Sequence, residues 1–211
     1  MPIRSPTRRW LGRGFRALRE YLSPTPDLLA AHPFGAVGSA VRLEPGLRIE
    51  GAEGMAFGDR VTIDRDAWLH VQHGFAEGVR LSIGNDSYVG MRACITAANR
   101  VELGDWSYVA HHTYITDHNH AYADPTRPIA HQGLATPGFV RIGRSVWIGV
   151  GAALIGAHGL TIGDNAVIGA NAVVIDDVPP ATVVAGNPAR PVKRFDFERG
   201  EWVRLPRERE P

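Results

Sequence analysis

The feature that most narrows what this chain can fold into is a six-residue beat. An aliphatic residue recurs at Ile83, Val89, Ile95, Leu103, Val109 and Ile115, then again at Ile142, Ile148, Leu154, Ile162, Ile168 and Val174, with an echo at Val184. The beat starts weakly at Ile49 and clearly at Phe57, continues through Ile63 and Leu69, and is broken by an insertion from Val71 to Gly78. Four residues after an aliphatic position the side chain is small, as at Val61, Ala67, Ser87, Ala93, Ser107, Thr113, Val146, Ala152, Ala166 and Ala172. That position lies two residues before the next aliphatic, so in extended chain both point the same way. Each hexad therefore reads as a short strand and a turn, with a glycine after the aliphatic permitting the backbone its corner geometry. Six residues cannot bury their own inner face, so successive turns must stack. The longer steps from Ile95 to Leu103 and from Leu154 to Ile162 add residues at one corner of each coil of three hexads. The expected fold is all-β, a parallel β-helix of triangular section.

The beat lapses once at length. Residues 116–139 open with Thr116-Asp117-His118-Asn119-His120 and carry Pro125, Pro128, Gly133, Pro137 and Gly138. A structureless loop this long, extruded from a compact domain, usually serves function. The remaining boundaries follow from composition. Residues 1–46 form a lead-in, 47–194 the β-helix, and 195–211 a tail expected to be a short capping helix. Within the lead-in, Leu11, Phe15, Leu18 and Leu22 fall three or four apart with arginines between them. That spacing predicts a helix over Arg8–Leu22, docked on the main body or lying on an anionic membrane surface. Residues 27–46 read as an irregular approach.

At 211 residues the chain suits one domain, and a net charge of +1 gives no general pull toward nucleic acid. The single cysteine, Cys94, excludes an intramolecular disulfide framework and a multi-cysteine zinc site, and is expected as a small buried hydrophobe. No run reaches the ~18 apolar residues of a membrane span. The arginine-broken N-terminus does not suit a signal peptide, so a reduced, cytoplasmic setting is the expectation.

The hexads together with Trp147-Ile148-Gly149, Val167-Ile168-Gly169-Ala170 and Gly186-Asn187-Pro188-Ala189-Arg190 resemble the hexapeptide-repeat acyltransferases over residues 57–194. Within that family the likeness is to the galactoside/maltose O-acetyltransferase branch and to sugar O-acetyltransferases of polysaccharide assembly. The resemblance implies a left-handed β-helix, against the usual right-handed crossover. It also implies a homotrimer with sites between subunits, acetyl-CoA as donor, no metal, and a hydroxyl of a sugar or glycosylated small molecule as acceptor.

Moving an acyl group from a thioester to a hydroxyl requires a base, and a neutral imidazole suits that task near pH 7. His118 occupies the family's catalytic position. Asp117 and His120 are expected near the acceptor. Asp117 could also orient His118, although sequence neighbours in extended chain point apart, and a turn-forming role stands beside that one. Galactoside-type relatives grip the sugar with a carboxylate one coil earlier, a region held here by Arg92 and Asn99.

For the donor, the resemblance assigns Trp147, Val150, Ala170, Ile175 and Lys193 to the coenzyme A groove. Gly149, Gly169 and Ala170 offer little side chain to obstruct a pantetheine arm. Arg190, Lys193 and Arg194 suit nucleotide phosphates, while Asp176 stands where relatives often carry lysine. Two other readings compete. A γ-class carbonic anhydrase-like zinc enzyme would recruit histidines such as His111, His112, His118 and His120. A non-catalytic scaffold would be indifferent to loss of His118.

Overall fold

The computed structural model describes residues 27–206, so the helix expected over Arg8–Leu22 lies outside the described residues. After a one-turn helix at Leu28–Ala31, capped by Asp27, the chain winds through three flat sheets in strict rotation. Sheet A stacks Ala36–Val37, Met55–Phe57, Leu81–Ile83, Val101–Leu103, Val140–Ile142 and Leu160–Ile162. Sheet B stacks Arg42–Leu43, Thr62–Ile63, Tyr88–Val89, Tyr108–Val109, Trp147–Ile148, Val167–Ile168 and Thr182–Ala185. Sheet C stacks Arg48–Glu50, Trp68–Val71, Cys94–Ala97, Tyr114–Thr116, Ala153–Ile155 and Val173–Val174. Neighbouring strands in each stack run parallel and in register, as Ile83, Leu103, Ile142 and Ile162 do in sheet A. The sequence-expected triangular coil is the observed one.

The inward aliphatics of all three sheets form one continuous core, and the small residues four positions later are buried beside them. Ile95, Ile115, Ile148 and Leu154 are fully shielded from solvent. Each such burial contributes roughly 1.5–3 kcal/mol, and the small partner leaves room for the next large one.

Three expectations need correction. The first coil begins at Ala36, inside the supposed irregular approach, because Ala36–Val37 and Arg42–Leu43 already pair with the strands above them. The described part of the tail, to residue 206, is not a helix. Arg190–Asp196 turns back antiparallel on Thr182–Ala185 and then pairs with Glu201–Arg204, extending sheet B as a hairpin. Phe195, Phe197 and Trp202 pack edge to face on that hairpin.

The third correction concerns glycine. The left-handed backbone falls at Arg60, Asp86, Trp106 and Asn165 on the A–B corner and at Asp66, Arg92, His112 and Asn171 on the B–C corner, each just before a small inward residue. The glycines after the aliphatics have ordinary φ and serve close approach instead. A Cβ on Gly104 would meet the Gly143 carbonyl carbon at 2.7 Å, and one on Gly84 would meet Asp105 N at 2.6 Å. The described residues contain no helix long and apolar enough to cross a membrane.

Candidate active site

Several corners leave backbone N–H groups pointing toward the next coil, and side chains from that coil take them. On the A–B corner Asn85 Oδ1 accepts from Asp59 N at 2.8 Å, Asp105 Oδ1 from Asn85 N at 2.7 Å, and Asp164 Oδ1 from Arg144 N at 2.9 Å. On the B–C corner His111 Nδ1 accepts from Met91 N at 2.9 Å. The C–A corner is two residues longer, and there Asp117 takes three donors at once. Its Oδ1 accepts from Ala98 N at 2.8 Å, and its Oδ2 accepts from Asn99 N at 2.8 Å and Arg100 N at 2.6 Å.

Asp117 is fully buried, which corrects its assignment to the acceptor: both oxygens are held by protein donors and none faces solvent. Burial works against its charge, yet donation from His118 and from Ala98, Asn99 and Arg100 outweighs it and holds the carboxyl below its usual value. An ionised carboxylate only accepts, so the 2.8 Å contact from His118 Nδ1 to Asp117 Oδ1 fixes the proton on Nδ1. In the neutral ring Nε2 is then the acceptor nitrogen. Thr116 closes the turn, its Oγ1 accepting from His118 N at 3.3 Å and donating to His118 O at 3.1 Å. The imidazole is thus immobilised on one side and basic on the other, with 8% of the residue exposed.

The excursion after His118 is ordered rather than structureless. Its legs zip together through Ala135 N to Asn119 O and Ala121 N to Gly133 O, with His120 bridged to Leu134. Gln132 ties the tip through Nε2 to the carbonyls of Asp124 and Arg127. Gly138 N donates to Asp117 O and Asn99 Nδ2 donates to Gly138 O at 2.7 Å, so the loop's return is fastened beside the histidine.

Of the residues expected at the acceptor, Asn99 therefore lies at the His118 corner. His120 is exposed on the first leg of the loop. Arg92 does not join them within the protomer: it occupies the B–C corner, left-handed at φ 56° and near Asp66 at 3.8 Å. Cys94 is not in the core either. It faces outward between Trp68 and Tyr114, half-buried, and burial pushes its thiol pKa up. Among the described residues no group of three or more His, Cys, Asp or Glu side chains is placed to hold a metal ion.

The donor positions divide. Trp147, Gly149, Val150, Gly169 and Ala170 gather along the upper B–C corner, where a Cβ on Gly149 would meet Ala170 N at 2.6 Å. Trp147 and Val150 are exposed there. Ile175 instead lies on the C–A side, directly after the strand Val173–Val174. Arg190 is drawn to Asp176 at 3.1 Å. Lys193 stands opposite Arg204 across the terminal hairpin, and the two line a cavity with Pro191, Val192, Leu205 and Pro206.

Arg204 gives no signal in the sequence, since a helical tail would not set it opposite Lys193. For Thr116, Thr96, His70 and Glu50 a signal is present. In sheet A the residue after each inward aliphatic is glycine from Gly38 to Gly163, but in sheet C it is Glu50, His70, Thr96, Thr116, Ile155 and then Ile175.

Residues 139–175 match the model described as Hexapeptide repeat of succinyl-transferase. A chloramphenicol acetyltransferase from Agrobacterium fabrum is 47% identical over 68 residues, 32% of each chain. The chain spans about a third of the length of the curated relatives it matches. Among solved structures, an N-acyltransferase from Bacillus cereus, crystallised with dTDP and 3-hydroxybutyryl-CoA, superposes with a TM-score of 0.68 at 19% identity, covering 82% of this chain and 90% of its own. A hexapeptide-repeat acetyltransferase from Vibrio cholerae, complexed with acetyl coenzyme A, gives 0.59 at 22% identity, covering 87% and 85%. The fold is the left-handed β-helix of hexapeptide repeats.

Proposed function

We propose that this chain is a CoA-dependent acyltransferase that moves an acetyl or other short acyl group to a hydroxyl of a sugar or glycosylated small molecule. The observation that carries this reading is the locked imidazole. Asp117 holds Nδ1–H of His118, leaving Nε2 as a base at the root of an ordered loop. His118 Nε2 accepts the hydroxyl proton as the oxygen attacks the thioester carbon. As the C–S bond breaks, the imidazolium returns that proton to the departing thiolate, so no acyl-enzyme is needed. Asp117 stabilises the transient imidazolium.

Acyl-CoA as donor is supported by the stretch shared with a chloramphenicol acetyltransferase and by the coenzyme A ligands of the superposable structures. Trp147, Gly149, Val150, Gly169, Ala170 and Ile175 would line its arm, with Arg190 and Lys193 toward its phosphates. Oxygen is preferred to nitrogen as nucleophile because a neutral alcohol must lose its proton as it attacks, whereas a free amine attacks unaided. His118 and the Gly149–Ala170 groove lie on different corners of the prism. That separation supports a homotrimer in which one protomer's histidine meets its neighbour's groove, and a cytoplasmic setting where acyl-CoA is available.

An acceptor screen with acetyl-CoA, following free-thiol release, tests the reading. Release should depend on acceptor and vanish in His118→Ala. If wild type never exceeds that variant with any hydroxyl acceptor, the reading is wrong.

A further inference from the structure

Arg80 is the one buried lysine or arginine among the described residues, at 7% exposure, and the acyl-transfer chemistry above makes no use of it. It follows the insertion that breaks the beat and enters sheet A at the C–A corner, one coil below Asn99. There its backbone N donates to Gly54 O and its carbonyl accepts from Val101 N. Among the described residues its guanidinium bonds only carbonyl oxygens: Nη1 donates to Gln72 O and, at 3.3 Å, to Ala98 O, while Nε has no partner. Taking a guanidinium out of water with no carboxylate to meet it is costly, and an apolar side chain of similar size would fill the corner at less cost. Packing alone therefore does not explain the charge.

The Ala98–Asn99 peptide does. Its oxygen takes the hydrogen bond from Arg80, and its N–H, on Asn99, gives one to Asp117 Oδ2 at 2.8 Å. A peptide group is planar, so anchoring the oxygen sets the direction of the N–H on the opposite edge. The N–H of the preceding peptide, on Ala98, meets Asp117 Oδ1 at 2.8 Å, the oxygen that also receives His118 Nδ1–H. We propose that Arg80 is a positioning residue for His118, gripping the far edge of the peptide plate on which Asp117 is seated. This rests on the acyl-transfer reading above and adds to it a residue that touches neither substrate. A cation at the carbonyl also polarises the plate and strengthens its N–H as a donor. Guanidinium, peptide, carboxylate and imidazole thus lie in series.

The same nitrogen closes the insertion. Gln72 and Arg80 stand at its two ends, and the bond from Arg80 Nη1 to Gln72 O ties them across the loop. Phe75 and Val79 within it are exposed, so the loop adds little to the core, and its closure serves the corner. Gly54 lies against the guanidinium, where a Cβ would stand 3.6 Å from Nη2. Arg100 holds the equivalent register position one coil up, before Val101 as Arg80 is before Leu81. Its side chain stays half exposed and reaches toward Glu102 at 3.8 Å, so of the two only Arg80 is turned inward.

The test reads the imidazole directly and needs no substrate. In proton–nitrogen NMR of the full chain labelled at histidine, the His118 Nδ1–H signal is identified by its loss in His118→Ala. It should lie far downfield in wild type, as a proton donated to a buried carboxylate does. Arg80→Met, which keeps length and packing without the charge, should move that signal upfield or broaden it away, and Arg80→Lys should return it toward wild type. With acetyl-CoA and an acceptor that wild type uses, kcat of Arg80→Met should fall at least ~10-fold while KM for acetyl-CoA stays within about twofold. Ile63→Val, a core change in sheet B, controls for lost stability and should alter neither reading. Should Arg80→Met fail to fold, Arg80→Gln, a neutral donor, takes its place. An unmoved His118 signal in the neutral variant overturns the proposal, as does an equal displacement in Arg80→Lys or in Ile63→Val. A displaced signal in a chain that never releases thiol overturns only the transfer reading.

Discussion

Asp117 Oδ1 lies 2.8 Å from His118 Nδ1, although the two are adjacent in sequence and the strand ends only one residue earlier. Adjacent residues of a strand point to opposite faces. The chain escapes that alternation because Asp117 tucks beneath its own coil to collect the N–H groups of Ala98, Asn99 and Arg100. Hydrogen bonding that Asn85, Asp105 and Asp164 use only for stacking here also orders an imidazole. Removing that imidazole should separate chemistry from binding: His118→Ala is expected to lower kcat by at least ~10²-fold. Its dissociation constant for coenzyme A, measured by calorimetry, should stay within about twofold of wild type.

Asp117→Asn should be nearly as damaging by a different route. An amide can present its NH2 to the ring, which forces the proton onto Nε2 and abolishes the base. A kcat loss on the order of 10²-fold is expected with KM for acetyl-CoA unchanged. A rise in KM with kcat intact would mean that Asp117 acts in binding instead.

The same substitution carries a stability signature. The Asp117 carboxyl sits below its ordinary value in the folded chain. Such a group adds stability above its unfolded pKa of about 3.9, and loses it as pH falls through the folded value. Wild type should therefore lose stability with acid below about pH 4. In Asp117→Asn that dependence should flatten by up to about 1.4 kcal/mol per pH unit. Urea titrations between neutral pH and pH 3 would reveal it, and identical slopes in the two proteins would contradict the assignment.

How much of this was legible depended on whether a residue's role is periodic. Ile95, Ile115 and Leu154 announce themselves because burial repeats with the coil, and Ser87 or Ala152 follow from the same geometry. Val37 and Leu43 begin that series, but no clear beat surrounds them, so the first coil was missed. His118 was readable as the break in a pattern. Its orientation by Asp117 stood only as one of two readings, because strand alternation, which argues against it, ends one residue earlier. Arg92 was placed by distance along the chain, whereas corner identity decides proximity. Phe195 and Trp202 fall in the tail expected as a capping helix; only the antiparallel pairing with Thr182–Ala185 reveals a hairpin.

Gly104 lies outside the left-handed region, so a corner-geometry role would let alanine in at little cost. Its Cβ would instead strike the Gly143 carbonyl carbon and oxygen at 2.7 Å and Arg144 N at 2.9 Å. Gly104→Ala should cost roughly 1–3 kcal/mol, several degrees in Tm. Gly74, with nothing within 4 Å but φ +82°, should show only the smaller backbone penalty. Equal melting temperatures for wild type and Gly104→Ala would return the glycines to a turn role.

Lys193 and Arg204 are paired across antiparallel strands, and like charges so placed repel unless an anion lies between them. Arg190, by contrast, is engaged by Asp176, so it offers a phosphate less than its sequence position promised. The 3′-phosphate of coenzyme A is an anion that the first pair would hold. Lys193→Ala combined with Arg204→Ala should weaken coenzyme A about tenfold, the worth of one charge-assisted contact. Dephospho-coenzyme A should be almost unaffected, and the difference should shrink as salt screens these solvent-accessible charges. Asp176→Ala, by releasing Arg190, should tighten coenzyme A in the same assay. Equal losses for both ligands in the double variant would move the phosphate contact away from this hairpin.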